Sequence, residues 1–172
     1  MRPAPPYAGE APPALWHVSG DASIARFEPR GGRVWAIDTR HLPLYWFPRD
    51  CPRATFWATE ETTDDDVDRF LGGDRTRRVH VIEPAWLDRM RSTELYAYEF
   101  PGATFEPEDR YWISSVAVEP TGRIELGDLL GLHAAAEIEL RIAPALIELW
   151  ERVVASTLDF SGIRLRNATL AR

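Results

Sequence analysis

The sequence predicts an α+β domain with roughly six or seven strands and four or five helices. Three observations carry this. Short runs rich in aromatic and β-branched residues recur, among them "LWHVS", "VWAI", "RATFWAT" and "RVHVIE", and such runs suit a pleated, half-buried surface. The last third changes character, because "GDLLGLHAAAE" and "PALIELWERVVAST" set apolar residues at helical spacing. Strands this short and aromatic, bounded by Pro and Gly, do not suit a doubly wound parallel sheet.

The elements follow in order. The opening "MRPAPPYAGEAPP", residues 1–13, is dominated by Pro and Ala and reads as a flexible leader, leaving one domain over 14–172. "ALWHVS" then reads as a strand and "GDAS" as a turn towards Ile24 and Phe27, while the Pro and paired Gly of "EPRGGR" mark a loop. The strand "VWAI", 34–37, leads to Asp38 as N-cap of a short helix over "TRHLPLYWF", with Pro43 in the first turn and Pro48 as the stop. "RATFWAT" is the next strand. Thr63 caps a helix over "DDDVDRFLGG", whose aspartates stand where the helix dipole favours them and whose Gly72 ends it. Consecutive aspartates on a helix point in different directions, which favours a solvated cap over a metal site. "RVHVIE" alternates as a strand does, and "PAWLDRMRS" opens a helix at Pro84 and closes it with arginines. "ELYAYEF" and "YWISSVAVEP" are strands paired antiparallel across the loop "PGATFEPEDR". "IELRIA" is a strand or a helix continuation between the C-terminal helices.

Composition removes several classes of function. A chain of 172 residues that is 45% hydrophobic builds one sizeable core. The net charge of -7 argues against general nucleic-acid binding. All 20 basic Lys+Arg residues are Arg, so Schiff-base and phosphate-loop lysine chemistry is excluded. With a single Cys, no basic-then-apolar N-terminal signal and no apolar run of membrane-spanning length, the expectation is a soluble cytoplasmic protein.

The common catalytic signatures are absent: there is no glycine-rich phosphate loop, no G-x-S-x-G and no H-E-x-x-H. The histidines at 17, 41, 80 and 133 lack metal-ligand spacing, so no metal is expected. In "FPRDCPR", Arg49 and Arg53 flank Cys51 and would lower its thiol pKa, so a cysteine-dependent hydrolase with His17 or His41 as base is one alternative. Set against it, a Cys between prolines reads as a small buried residue.

The first sixty residues carry the sharper constellation, a strand ending His17-Val-Ser19, a Gly-bearing loop, then "VWA" leading to a short helix with Tyr45. This resembles the N-terminal half of the ADP-ribosyltransferase superfamily. The resemblance implies two small, mainly antiparallel sheets with a cleft, and NAD as substrate. It also implies that His17 and Ser19 hold the nicotinamide half of the nucleotide, that Trp35 or Tyr45 stacks on it, and that Asp109 supplies the catalytic carboxylate. "LYAYEFPGATFEPEDR" followed by "YWISSVAVEP" is similar to the strand, acidic loop and strand of small rifamycin-modifying transferases. Where the superfamily's glutamate would open a strand, this chain has Arg110 and Tyr111; Glu106, Glu108 and Asp109 are the nearest carboxylates, with Glu137 and Glu139 a second option.

Over nearly the full domain the chain also resembles a small bacterial family of unknown function marked by "HxS", "WAID", "H-x-P-x-Y", "FPRDCPR" and a late "ELR". Arg30 and Arg49 are candidate pyrophosphate ligands, since guanidinium groups bind phosphate bidentately. The physical requirement is independent of any name. Cleaving the glycosidic bond to nicotinamide passes through an oxocarbenium-like state, which needs orientation, stacking and a carboxylate more than a strong nucleophile. An inert nucleotide-binding or interaction module of the same fold is the alternative from another class.

Overall fold

The computed structural model describes residues 14–169. The leader expected over 1–13 lies outside the described residues. In chain order the strands are β1 (Leu15–Ser19), β2 (Val34–Asp38), β3 (Arg53–Trp57), β4 (Arg78–Ile82), β5 (Leu95–Phe100), β6 (Glu106–Glu108), β7 (Tyr111–Ser114), β8 (Gly122–Leu126), β9 (Ile138–Ile142) and β10 (Asp159–Ile163). The α-helices are α1 (Asp64–Leu71), α2 (Leu87–Ser92), α3 (Leu129–Ala135) and α4 (Leu146–Val154). Two sheets form, of six and four strands, in the orders β6-β7-β2-β1-β5-β8 and β10-β3-β4-β9. All the pairings are antiparallel except β4 with β9. The α+β class with two mainly antiparallel sheets is therefore as expected. Contacts gather into two compact units, one of residues 14–46 and 93–128, the other of 47–92 and 129–169.

The first unit holds the six-stranded sheet. Leu15, Val34, Ala36, Tyr98 and Phe100 share one of its faces and pack with Phe27, Phe105 and Val118 into an aromatic-rich core. Phe27 is pinned there by a backbone pair with Val118, at 2.8 and 3.0 Å. The hairpin expected between "ELYAYEF" and "YWISSVAVEP" does not form: β5 pairs with β1 and β8, and β7 with β2 and β6. β7 also ends at Ser114, and the acidic loop contributes β6. The short helix expected after Asp38 is a single 3-10 turn, Leu42–Tyr45. Its N-cap is His41, without a side-chain cap bond, and not Asp38 as expected; Asp38 lies three residues before the cap, where its Oδ1 accepts the backbone N–H of His41 at 2.9 Å.

The second unit holds the four-stranded sheet. Its residues alternate between an apolar face of Ala54, Phe56, Val79 and Val81 and a face bearing Arg53, Thr55, Arg78 and His80, all of them buried. Two amphipathic helices cover the apolar face, α1 through Val67, Phe70 and Leu71, and α4 through Leu146, Leu149 and Val153. α1 follows its sequence signals. Thr63 Oγ1 accepts from Asp66 N–H at 3.3 Å, three aspartates occupy the first turn, and Gly72 closes the helix with φ 62. The aspartates serve as the cap and its ties: Asp66 accepts from Thr157 N–H at 2.8 Å, and Asp64 pairs with Arg75 at 2.7 Å. No helix among the described residues is long and apolar enough to cross a membrane.

Candidate functional site

In the first unit, β1 and β2 part after a short pairing. Their antiparallel ladder registers only Leu15↔Asp38 and Trp16↔Ile37, whereas β1 runs along β5 through five successive pairs. Continuing it would set His17 against Ala36 and Val18 against Trp35. At that point the His17 side chain substitutes for the backbone, with Nδ1 2.9 Å from the carbonyl oxygen of Trp35. A carbonyl only accepts, so Nδ1 is the protonated nitrogen and donates, and in the neutral ring Nε2 is the acceptor. Phe27 and Phe100, with centroids 4.9 and 6.1 Å from the imidazole, hold its plane.

A pocket of about 350 Å³ occupies this fork, within the range small ligands use. Trp16, His17 and Val18 line it from β1, and Trp35, Ala36 and Ile37 from β2. Tyr45, at the end of the 3-10 turn, and Tyr111, at the start of β7, complete the lining. Trp35 and Tyr111 meet edge to face, with centroids 5.7 Å apart, and Tyr45 Oη reaches Tyr111 Oη at 3.5 Å. Trp35 is 40% exposed, a large indole left open to an incoming planar group. Behind the pocket Trp16 is buried and donates its indole N–H to Thr39 Oγ1 at 2.8 Å, which locks the strand end. Beside it Asp38 Oδ1 lies 2.8 Å from His41 Nδ1. Burial works to raise the Asp38 carboxyl, but the hydrogen bonds and charge of His41 hold it below the usual carboxylate range.

The approach to the pocket is charged. Gly31 and Gly32, with φ of 62 and 80, form a tight turn between Arg30 and Arg33, whose backbones exchange hydrogen bonds of 2.9 and 3.3 Å. Glycine adopts two successive left-handed residues without strain, which suits the doublet to this turn. The turn delivers Arg33 to the start of β2, where its guanidinium lies 5.4 Å from the Trp35 ring centroid and pairs with Glu108 at 2.6 Å.

His17, Trp35 and Tyr45, three of the sequence candidates, thus line one pocket. Ser19, Arg30 and Asp109 belong to the same unit but are not among its lining residues. Ser19 Oγ accepts from Asp21 N–H at 3.2 Å, a turn-capping role. Asp109 sits at the tip of the β6–β7 hairpin with φ 56, a conformation Asp tolerates, its side chain 79% exposed and 3.8 Å from Arg110 Nε. Glu108 is engaged by Arg33, and Glu106 is exposed. Arg49 belongs to the second unit, as do Glu137 and Glu139, and Glu139 pairs there with Arg141 at 3.0 Å. Tyr111 was legible only as the residue standing where a glutamate would be expected; its alternation with Ile113 along "YWIS" was the available signal.

The second unit has a polar cluster of its own. His133 donates Nδ1–H to Leu129 O at 2.7 Å, so its Nε2 accepts from His80 Nδ1 at 3.1 Å. The remaining His80 nitrogen, Nε2, is buried without a hydrogen-bond partner among the described residues. Burial pushes both imidazoles down, His133 to about 4 and His80 well below its ordinary range, with the Arg78 charge acting in the same direction. Cys51 corrects the hydrolase alternative. It is fully buried, and burial drives its thiol up to about 12 despite the nearby Arg53, the opposite of the lowered pKa a nucleophilic thiol needs. Among the described residues no group of three or more His, Cys, Asp or Glu could hold a metal ion.

No curated protein and no solved structure matches the chain. A family of unknown function, DUF6886, matches over residues 16–168. Its span takes in the fork, both walls of the pocket and the whole of each sheet but Leu15, and the chain belongs to this DUF6886 family.

Proposed function

We propose that the fork between β1 and β2 binds the nicotinamide end of NAD, and that the protein is an ADP-ribosyltransferase-like enzyme. The observation that carries the reading is the convergence of His17, Trp35, Tyr45 and Tyr111 on one pocket, built where a strand ladder stops. A planar cationic ring is matched by aromatic walls, through stacking and cation–π attraction. The β1 edge at Val18 lies opposite Trp35 beyond the last registered pair, which suits its backbone to a carboxamide. His17 is oriented by Trp35 O so that Nε2 is the acceptor for a ribose hydroxyl. In the reaction an acceptor nucleophile forms a bond to C1′ of that ribose while the C1′–N1 bond breaks; nicotinamide leaves with the electron pair and the nucleophile gives up its proton.

One observation favours a second reading, a binding module without turnover: among the described residues that line the pocket none carries a carboxylate. Asp109, two residues from Tyr111 on the same hairpin, is the residue that separates the two. The experiment is a thermal-shift titration with NAD, ADP-ribose and nicotinamide at millimolar concentration, with an assay of nicotinamide release. Stabilisation by NAD that His17→Ala abolishes is the expected result, and no shift with any of the three overturns the reading. Release of nicotinamide that Asp109→Ala abolishes assigns the enzyme; binding without release assigns the module.

A further inference from the structure

We propose that Arg33 is a phosphate-binding residue at the mouth of the pocket, so that the ligand carries a phosphate linked to its aromatic group. This rests on the reading that the fork binds an aromatic ligand, and it specifies that ligand's chemistry. None of the described lining residues is Arg, Asp or Glu, so a charged tail must be met outside the lining.

Arg33 is placed to meet it. Strand alternation sets Arg33 on the same face as Trp35 and Ile37, both pocket walls. Its guanidinium lies 5.4 Å from the Trp35 ring centroid, tethered by the Gly31-Gly32 turn. Its partner Glu108 stands directly opposite Tyr111 in the β6–β7 register, so the ion pair ties the residue before β2 to the β6 neighbour of Tyr111. The pair is open to solvent, with side chains 44% and 43% exposed, and such a pair contributes little to folding. A phosphate offers the guanidinium two parallel acceptors and more charge than a carboxylate, so it displaces Glu108 and leaves Arg33 stacked on Trp35.

The test compares nicotinamide riboside with its 5′-phosphate, which differ by the phosphate alone, by titration calorimetry on the full chain. Arg33→Ala is expected to weaken the phosphorylated ligand by about tenfold, the scale of one charge-assisted contact, and to leave the riboside nearly unchanged. Glu108→Gln, which frees the guanidinium, is expected to tighten the phosphorylated ligand by about two- to fivefold at low salt. That second variant carries the test if Arg33→Ala misfolds. Equal losses for both ligands in Arg33→Ala make Arg33 a support for Trp35 and overturn the assignment. So does a Glu108→Gln variant that binds the phosphorylated ligand no better than wild type. Wild-type binding of the riboside with no gain from the phosphate overturns the Arg33 assignment and leaves the aromatic pocket standing. Binding of neither overturns both.

Discussion

His17 Nδ1 and the carbonyl oxygen of Trp35 lie 2.9 Å apart, at the point where β1 and β2 cease to pair. One imidazole nitrogen terminates the ladder, and the same ring lines the aromatic pocket. Structure and binding therefore separate by atom. His17→Asn retains an N–H near the position of Nδ1 and lacks Nε2. Its melting temperature is expected to stay close to that of wild type while the NAD-dependent shift disappears. His17→Ala is expected to lose both, and equal retention of the ligand shift in the two variants would sink the role given to Nε2.

Trp35 is the wall most open to an incoming ring. Trp35→Ala is expected to weaken the riboside and its phosphate alike by roughly tenfold, the scale of one lost aromatic stack. Tyr111→Phe, which keeps the ring and removes a hydroxyl contact of 3.5 Å, is expected to change affinity by less than about threefold. Calorimetry on the same ligands decides both.

The buried histidines make the second unit sensitive to acid. His133 falls from its ordinary 6.5 to about 4 in the fold, and His80 falls with it. Between those values the unfolded chain binds more protons than the folded one, so stability is full above about 6.5 and declines as pH falls towards 4. The loss attributable to His133 is roughly 3 kcal/mol. Urea denaturation at pH 7 and pH 5 should show a lower midpoint at pH 5, and a smaller pH dependence in His133→Leu. Equal midpoints in wild type at the two pH values would remove the effect.

Gly162 on β10 sits under the Trp150 indole. A Cβ there would approach Trp150 ring carbons to 2.7 and 2.8 Å and Leu165 Cδ1 to 2.7 Å. Gly162→Ala is expected to destabilise the chain by about 1–3 kcal/mol, since overpacking displaces a ring wedged at 5.2 Å from Phe160. A melting temperature unchanged from wild type contradicts this.

Cys51 is expected to resist alkylation at neutral pH until the chain unfolds, because its sulfur is buried and protonated. Rapid labelling of the folded protein, followed by mass spectrometry, would reopen the thiol as a nucleophile.

Local chemistry explains which elements were legible in the sequence. Thr63, the aspartates and Gly72 carry α1's start and stop, because capping is settled within a few residues. β1 to β5 show as aromatic and β-branched runs for a related reason: buried strands need apolar side chains wherever their partners lie. β8, "GRIEL", and β10, "DFSGI", escaped notice, being polar or glycine-bearing strands that exist through their neighbours. β8 borders Tyr96 and Tyr98 of β5, and β10 admits Gly162 because Trp150 needs the space a side chain would take.

The site divides the same way. The sequence by itself determined the α+β class, the caps of α1, the glycine turn before β2 and the singling out of His17, Trp35 and Tyr45. Only the tertiary structure decided that the β1–β2 ladder stops after two registered pairs, that Tyr111 rather than a carboxylate joins the pocket, and that Arg33 stacks on Trp35. Where a ladder ends and which side chains meet across it depend on pairings between distant segments, such as Leu15 with Phe100 and Val34 with Ser114, and on contacts such as that of Arg33 with Glu108. No local propensity encodes those pairings, because they are settled by which faces can be buried together.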